Sequence, residues 1–119
     1  MVVADNDTDA LDLVVTDLTL EGHDVVGTAR DGEQALAVCA EFRPDVLVTD
    51  YRMPPGPDGV TVAAQARAAG IARRVIVYSN YPDPRIVRAA TRAGAVFLEK
   101  GNLGALRRAV TADTCTPPA

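Results

Sequence analysis

The chain is poor in several residue types, and each shortage narrows what the protein can be. It has no tryptophan, and aromatic residues make up only 4% of its 119 residues, so an aliphatic core is expected. Two cysteines are too few for a disulfide framework, which is typical of a reducing compartment. No apolar segment approaches the roughly 20 residues of a membrane span, and no N-terminal secretory signal is visible. We therefore expect a cytoplasmic protein.

Cations are fewer than acids, and one kind of cation is almost missing. The formal net charge is −4, which argues against nucleic acid or a membrane surface as a partner. Of the 12 basic residues, only Lys100 is a lysine. The adjacent pairs Arg73-Arg74 and Arg107-Arg108 are expected on solvated faces. Since a surface cation in this chain is otherwise an arginine, Lys100 marks a position where a compact, flexible ammonium is wanted.

Strand-like and helix-like patterns alternate five times up to about residue 111, without a linker or an internal repeat. This alternation predicts one α/β domain, a doubly wound five-stranded parallel sheet with helices on both faces. Five units suit the flavodoxin-like strand order 2-1-3-4-5, in which strands 1 and 3 are neighbours. Apolar residues at helical spacing, among them Cys39 and Phe42, predict the second helix, and Cys39 is expected to be a small core residue. Residues 112–119 are expected to form a disordered C-terminal tail.

Four apolar runs each end on a polar side chain. The end residues in chain order are Asp5, Asp50, Ser79 and Lys100, and Ser79 is the only serine. A buried parallel strand reads as a nearly continuous apolar run, and an open α/β sheet binds its ligands beyond the carboxyl ends of the strands. We therefore expect two carboxylates, a hydroxyl and an ammonium at one edge of one sheet. Asp5 and Asp50 would end adjacent strands about 5 Å apart, and Lys100 is long enough to lean back toward them.

This set of side chains suits the transfer of a phosphoryl group to an aspartate. Crowded carboxylates repel each other unless a cation intervenes, and Mg²⁺ prefers hard oxygen ligands of this kind. An aspartate can act as a nucleophile and form an aspartyl-phosphate, while a metal and an ammonium neutralise charge on the phosphoryl oxygens. Asp50, Asp5, Ser79 and Lys100 would fill these roles. Each of them taken singly could also be a helix cap, a turn former or a surface residue.

Over nearly its whole length, residues 1–111, the chain resembles the receiver domain of two-component response regulators. The matching pieces are Asp5-Asn6, Asp50, Met53-Pro54, Asp58-Gly59, Ser79, Phe97 and Lys100. The resemblance implies that Asp50 is the phosphoacceptor and that a histidine kinase or a phosphotransfer protein donates the phosphoryl group. Such a domain catalyses only its own phosphorylation and dephosphorylation, and we expect no other enzyme activity.

The same resemblance implies a magnesium pocket. Asp5, Asn6, Asp50 and the backbone carbonyl of Arg52 would bind the ion. Asn6 stands where the family usually has a second carboxylate, and its amide oxygen brings no charge. Asp7 is a further candidate ligand that could compensate from the next position.

The resemblance also implies a switch and an output. Ser79 and Phe97 would form the switch pair, which changes the face made by helix 4, strand 5 and helix 5 for partners, a second copy of the chain included. The glycine that follows Lys100 resembles the subfamily that carries a C-terminal helix-turn-helix, so transcription regulation is the expected output. A stand-alone receiver and a fragment of a longer regulator both stay open.

Two alternatives to a phosphorylated receiver also stay open. Asn6 and Asn80 depart from the family pattern and favour a pseudo-receiver, an interaction module that works without phosphate. A phosphatase or an FMN protein on the same fold is the other alternative. A phosphatase of the dehalogenase type would want an aspartate in place of Arg52, and an FMN site would want a phosphate-cradling loop where residues 5–9 are rich in acid.

Overall fold

The computed structural model describes residues 1–80 and 82–111, in which strands and helices alternate along the chain. The strands are β1 (Val2–Ala4), β2 (Gly27–Ala29), β3 (Val46–Thr49), β4 (Arg74–Ser79) and β5 (Val96–Glu99). The helices are α1 (Thr8–Leu20), α2 (Gly32–Phe42), α3 (Gly59–Ala69), α4 (Pro84–Arg92) and α5 (Leu103–Thr111). The predicted disordered tail, residues 112–119, lies outside the described residues.

The strands form one parallel sheet in the order β2-β1-β3-β4-β5, which confirms the predicted order. Every residue of β1 and β3 is buried, because helices cover both faces of the sheet. The edge strand β5 is less protected, and Val96 is 41% exposed. Within the described residues, no helix is both long and apolar enough to cross a membrane.

The sheet separates two apolar clusters, because successive strand residues point to opposite faces. Val75 and Val77 of β4 pack on the side that α2, α3 and α4 cover. Ile76 and Tyr78 of the same strand pack on the other side, against α1 and α5. The core is therefore aliphatic on both sides, as the composition predicts. Among the described residues, Tyr78 is the one aromatic residue that is buried.

The helix α2 carries one predicted core residue and one that is not in the core. Cys39 is fully buried, as predicted, and burial raises the pKa of its thiol to about 11. Phe42 belongs to the same apolar helix pattern, yet it is 47% exposed. Phe42 lies in the last turn of α2, where its ring covers Gly27 of the edge strand β2 and has no further layer above it.

An aspartate caps the N-terminus of each of the first four helices. The capping residues are Asp7, Asp31, Asp58 and Asp83, and each side chain accepts a backbone N–H from the first turn of its helix. Pro84 follows Asp83 at the first position of α4, as predicted. These caps fix where the helices begin, and the connections that they end are short except for residues 50–58 between β3 and α3.

An ion pair joins α1 to α5. Asp17 is buried on α1, and Arg107 donates from Nε to its Oδ2 at 3.0 Å and from Nη2 to its Oδ1. Hydrogen bonding to Arg107 holds the pKa of the Asp17 carboxyl below its ordinary value. The prediction that Arg107 lies on a solvated face is confirmed in part, because 43% of its side chain is exposed while its guanidinium also binds a buried acid. Arg74 is likewise engaged, donating to the carbonyl of Ala109 at 2.8 Å.

We expect Asp17→Asn to destabilise the fold at pH 7 and this loss of stability to shrink as the pH falls from the unfolded pKa of about 3.9 toward the lower folded-state pKa. Because the folded-state pKa of Asp17 lies below the unfolded value of about 3.9, its stabilising contribution is present above that value and is lost as the pH falls through the folded pKa. Urea unfolding at several pH values from 7 to 3 measures this. Asp12→Asn, at an exposed position of the same helix, is the control. A pH-independent difference between wild type and Asp17→Asn would contradict this prediction.

Candidate functional site

The register of the sheet brings Asp5 and Asp50 side by side. Ala4 is paired with Thr49 in the ladder between β1 and β3, and the two aspartates are the next residues of these strands. The Asp50 N–H donates to the carbonyl of Ala4 at 2.9 Å, which continues the ladder by one step. Both aspartates are buried, with 3% and 8% of their surface exposed. Two acidic side chains therefore meet at the carboxyl edge of the sheet.

Lys100 reaches both carboxylates from the end of β5. Its Nζ donates to Asp5 Oδ2 at 2.7 Å and lies 3.4 Å from Asp50 Oδ2. The lysine side chain is only 14% exposed. The lysine thus leans back across β4 toward β1 and β3, as its length and position predict. One ammonium is shared between two buried carboxylates.

The charges of this group do not cancel. Burial raises the pKa of Asp50, and the negative charge of Asp5 raises it further, while Lys100 and the Tyr51 N–H at 2.7 Å act in the opposite direction. Burial by itself would lower the pKa of Lys100, but the hydrogen bond to Asp5 and the charge of Asp50 outweigh it, and the pKa is raised. The site thus has one basic side chain, Lys100, beside two acidic side chains, so their formal charges do not balance. Such a site favours one more cation.

The backbone of Asp50 is held by the start of α3. A Cβ atom on Gly59 would lie 2.2 Å from the carbonyl oxygen of Asp50, so only glycine allows this approach. The Gly59 N–H donates to the carbonyl of Tyr51 at 2.7 Å. Thr49 Oγ1 lies 3.0 Å from the same Asp50 carbonyl. The Asp58-Gly59 pair in the sequence therefore serves two ends, a helix cap and a close contact behind the phosphoacceptor candidate.

Asn6 and Asp7 lie at the exposed mouth of the site. The Asp7 N–H donates to Asp5 Oδ1 at 2.9 Å and helps to orient that carboxylate. The Asp7 carboxylate itself accepts from the Asp9 N–H at 3.0 Å, so it is engaged in capping α1. Arg30, which follows β2, donates to the backbone carbonyl of Asn6 at 3.4 Å. Sequence reasoning missed Arg30, although its place one residue after a strand that borders β1 was a usable signal.

The oxygens at this edge suit a magnesium ion, but few of them are charged. Within residues 1–80 and 82–111, no three Asp, Glu, His or Cys side chains are grouped so as to hold a metal ion. The candidate donors are the carboxylates of Asp5 and Asp50, the Asn6 amide and the Arg52 carbonyl. These are hard oxygens of the kind that Mg²⁺ takes alongside several waters. The donor chemistry therefore fits Mg²⁺ with two charged ligands.

Ser79 and Phe97 lie on one face of the sheet. Phe97 pairs with Val77 in the ladder between β4 and β5, and Ser79 is two residues further along β4, so their side chains are diagonal neighbours. Ser79 is fully buried. Phe97 is half-buried against the cluster that α4 helps to cover. The two residues of the predicted switch pair thus lie on adjacent strands and on the same face of the sheet.

Comparison with known proteins identifies the family of this chain. The sequence model of the response regulator receiver domain family matches residues 1–111. The chain belongs to the response regulator receiver domain family. Aspartate phosphorylation and Mg²⁺ binding are general properties of receiver domains.

The similar proteins include two-component transcription regulators. The probable transcriptional regulatory protein NarL of Mycobacterium tuberculosis is 45% identical over 89 residues, which cover 73% of this receiver chain and 41% of NarL. The solved signal receiver domain of the putative response regulator NarL from M. tuberculosis is similar with a TM-score of 0.86 and 38% identity, covering 93% of this chain and 91% of that one. The receiver chain thus spans less than half of NarL.

A third similarity concerns the fold alone. The solved DNA-binding response regulator of the LuxR family from Staphylococcus aureus has a TM-score of 0.86 at 20% identity, covering 93% of this chain and 94% of that one. The five-stranded receiver fold thus persists at low sequence identity.

We expect Asp50→Asn to stabilise the receiver at neutral pH. Because the folded-state pKa of Asp50 is raised, its ionised form is unfavourable in the fold above that pKa, and the amide leaves Lys100 and Asp5 as a balanced pair. The gain should therefore shrink as the pH falls through the raised pKa. A gain of about 1 kcal/mol would raise the melting temperature by about 4 °C in a domain of this size.

Thermal unfolding at pH 7 and pH 4 tests this prediction. Asp45→Asn is the matched control, because it makes the same change of charge at a side chain that is 78% exposed. A melting temperature of Asp50→Asn at or below that of the wild type at pH 7 would refute the expected gain.

Proposed function

We propose that Asp50 accepts a phosphoryl group from a histidine kinase or a phosphotransfer protein and that this modification switches a protein-interaction face. The observation that carries the proposal is the position of Lys100, whose ammonium lies 2.7 Å from Asp5 and 3.4 Å from Asp50 in a largely buried group. An ammonium so placed is ready to neutralise oxygens of a phosphoryl group on Asp50.

In this proposal the Asp50 carboxylate is the nucleophile. One of its oxygens attacks phosphorus, the bond between phosphorus and the donor breaks, and the donor leaves with the electron pair. Lys100 exchanges part of its contact with the aspartates for a contact with a phosphoryl oxygen. The hydroxyl of Ser79 is the proposed donor to a second phosphoryl oxygen. Mg²⁺, held by Asp5, Asp50, Asn6 and the Arg52 carbonyl, would supply positive charge next to the phosphoryl oxygens.

The proposed consequence is a change of the face made by α4, β5 and α5. Ser79 would move toward the phosphoryl group, and Phe97 would turn inward to fill the space. The exposed Val96 on β5 belongs to this face. A second copy of the chain is one candidate occupant of the face, and transcription regulation is the proposed output by similarity to NarL. The domain would act on no substrate besides its own phosphoryl group, in the cytoplasm.

Phosphorylation is expected when the protein meets a small phosphodonor, such as acetyl phosphate, in the presence of Mg²⁺. Intact-protein mass spectrometry should show one added phosphoryl group, and Asp50→Asn should abolish it. Asp12→Asn should retain it, because Asp12 is an exposed acid of α1. Absence of an adduct in the wild type at every Mg²⁺ concentration would overturn the proposal.

A pseudo-receiver is the second candidate function, and the uncharged Asn6 favours it. The grouped acids at the site are the two aspartates Asp5 and Asp50, and Lys100 already satisfies part of their charge. In this alternative the metal binds weakly, and the domain presents its interaction face without a phosphoryl group. The competing proposals differ in the metal affinity that they require.

We expect Asn6→Asp to raise the affinity for Mg²⁺ by about tenfold, since the number of charged ligands tunes the affinity of such sites. Titration of Mg²⁺ followed by NMR of the Asp50 backbone amide measures the change. Asn102→Asp, which adds the same charge in the turn before α5, is the control. If the wild type binds Mg²⁺ tightly and Asn6→Asp does not raise the affinity, the result would count against a weak metal site and against residue 6 as a metal ligand.

A further inference from the structure

Two consecutive residues of β4 hold the peptide groups on both sides of Lys100. The Lys100 N–H donates to the backbone carbonyl of Ser79 at 2.8 Å. The next N–H, that of Gly101, donates to the phenolic oxygen of Tyr78 at 3.2 Å. Both peptide planes that flank the Cα of Lys100 therefore have a partner in the same strand. The direction in which the lysine side chain leaves the backbone depends on these two contacts.

The contact from Tyr78 replaces one that the sheet cannot provide. The ladder between β4 and β5 pairs Ser79 with Glu99, and the chain then leaves the sheet at Gly101, whose φ is +97°. Ser79 is the last residue of β4 and its carbonyl already accepts the Lys100 N–H, so the ladder offers no further β4 carbonyl to the Gly101 N–H. The phenolic oxygen reaches it from the α1 and α5 side of the sheet. A partly buried backbone N–H without a partner would be unfavourable, so this acceptor stabilises the turn.

The ring of Tyr78 is a rigid anchor for that oxygen. Tyr78 is only 4% exposed and belongs to the apolar cluster between the sheet and α1 and α5. The ring also borders a small, mostly apolar pocket together with Lys100, Gly101 and Leu103. A buried tyrosine usually finds a hydrogen-bond partner for its hydroxyl, and here the partner is the turn that carries the lysine.

We propose that Tyr78 is a positioning residue for Lys100. Through its hydrogen bond to the peptide between Lys100 and Gly101, Tyr78 holds the lysine ammonium at the phosphoryl-accepting edge of the sheet. The inference rests on the proposed function, in which Lys100 contacts the phosphoryl group on Asp50. Tyr78 touches neither the aspartates nor that group and acts only through the lysine. In the sequence, the feature behind this role is a tyrosine, with its hydroxyl group, inside the otherwise apolar run of β4.

The substitution Tyr78→Phe removes one oxygen and keeps the ring in the core. We expect it to slow phosphorylation of Asp50 by acetyl phosphate, at saturating donor and Mg²⁺, by about threefold to tenfold, the effect of one lost hydrogen bond. In a Lys100→Ala background, Tyr78→Phe should have no further effect, because the residue that it positions is gone. Ile76→Val is the control, since it trims the same face of the same strand and leaves the hydroxyl in place.

A second readout does not depend on phosphorylation. Lys100 is the only lysine, so a sample with ¹⁵N in the lysine side chain gives one ammonium resonance. We expect Tyr78→Phe to move this resonance toward its position in the unfolded chain and to speed hydrogen exchange of the Gly101 amide. Ile76→Val should leave both unchanged.

The outcomes separate the two proposals. A wild-type protein that takes up no phosphoryl group contradicts the proposed function, and the lysine resonance then decides alone on the positioning. A wild-type rate in Tyr78→Phe, or a slowing that persists in full in the Lys100→Ala background, overturns the role of Tyr78. An unchanged lysine resonance in Tyr78→Phe overturns it as well.

Discussion

The shared ammonium of Lys100 is the interaction on which the carboxyl edge of the sheet depends. Asp5 and Asp50 are brought together by the register of two central strands, and burial leaves little water to screen their repulsion. A single cation from the end of β5 lies within reach of both. The group is compensated enough to fold, yet its charge still favours a further cation. Its composition thus combines stability with readiness for a charged ligand.

The rest of the architecture serves to hold those side chains still. Gly59 presses the first turn of α3 against the carbonyl of Asp50, and the Asp7 N–H orients the carboxylate of Asp5. On the other side, Ser79 and Tyr78 hold the peptides around Lys100. Each charged side chain, or the backbone that carries it, is therefore held by an uncharged group. Fixed dipoles and charges of this kind need little reorganisation when charge arrives.

Much of this arrangement could be predicted from the sequence, because each piece has a local signature. The strand order follows from the alternation of patterns, and Asp5, Asp50 and Lys100 stand where apolar runs end. The capped start of α4 follows from Asp83 with Pro84 behind it. For the strand ends and the cap, the neighbouring residues in the sequence contain the physical reason, whereas the strand order also needs the rule for doubly wound sheets.

The contacts that escaped prediction join residues that are distant in sequence. Asp17 and Arg107 are 90 residues apart, and no helical pattern tells which exposed cation will meet an acid on an apolar stripe. Phe42 fits the apolar stripe of α2, but the sheet ends beneath it. The hydrogen bond of the Tyr78 hydroxyl also escaped prediction, because a strand pattern treats tyrosine as an apolar residue and gives no partner for its oxygen.

The first and last strands supply charges to the same edge of the sheet, and this affects how the chain folds. The contact between Asp5 and Lys100 spans 95 residues, so it forms only when the first and last strands belong to one sheet. Closing so long a loop is slow and entropically unfavourable. A partly folded chain with β1 and β3 paired, but without β5, would hold both aspartates with no ammonium between them. The arrival of β5 relieves that repulsion, and the last strand is thereby coupled electrostatically to the first.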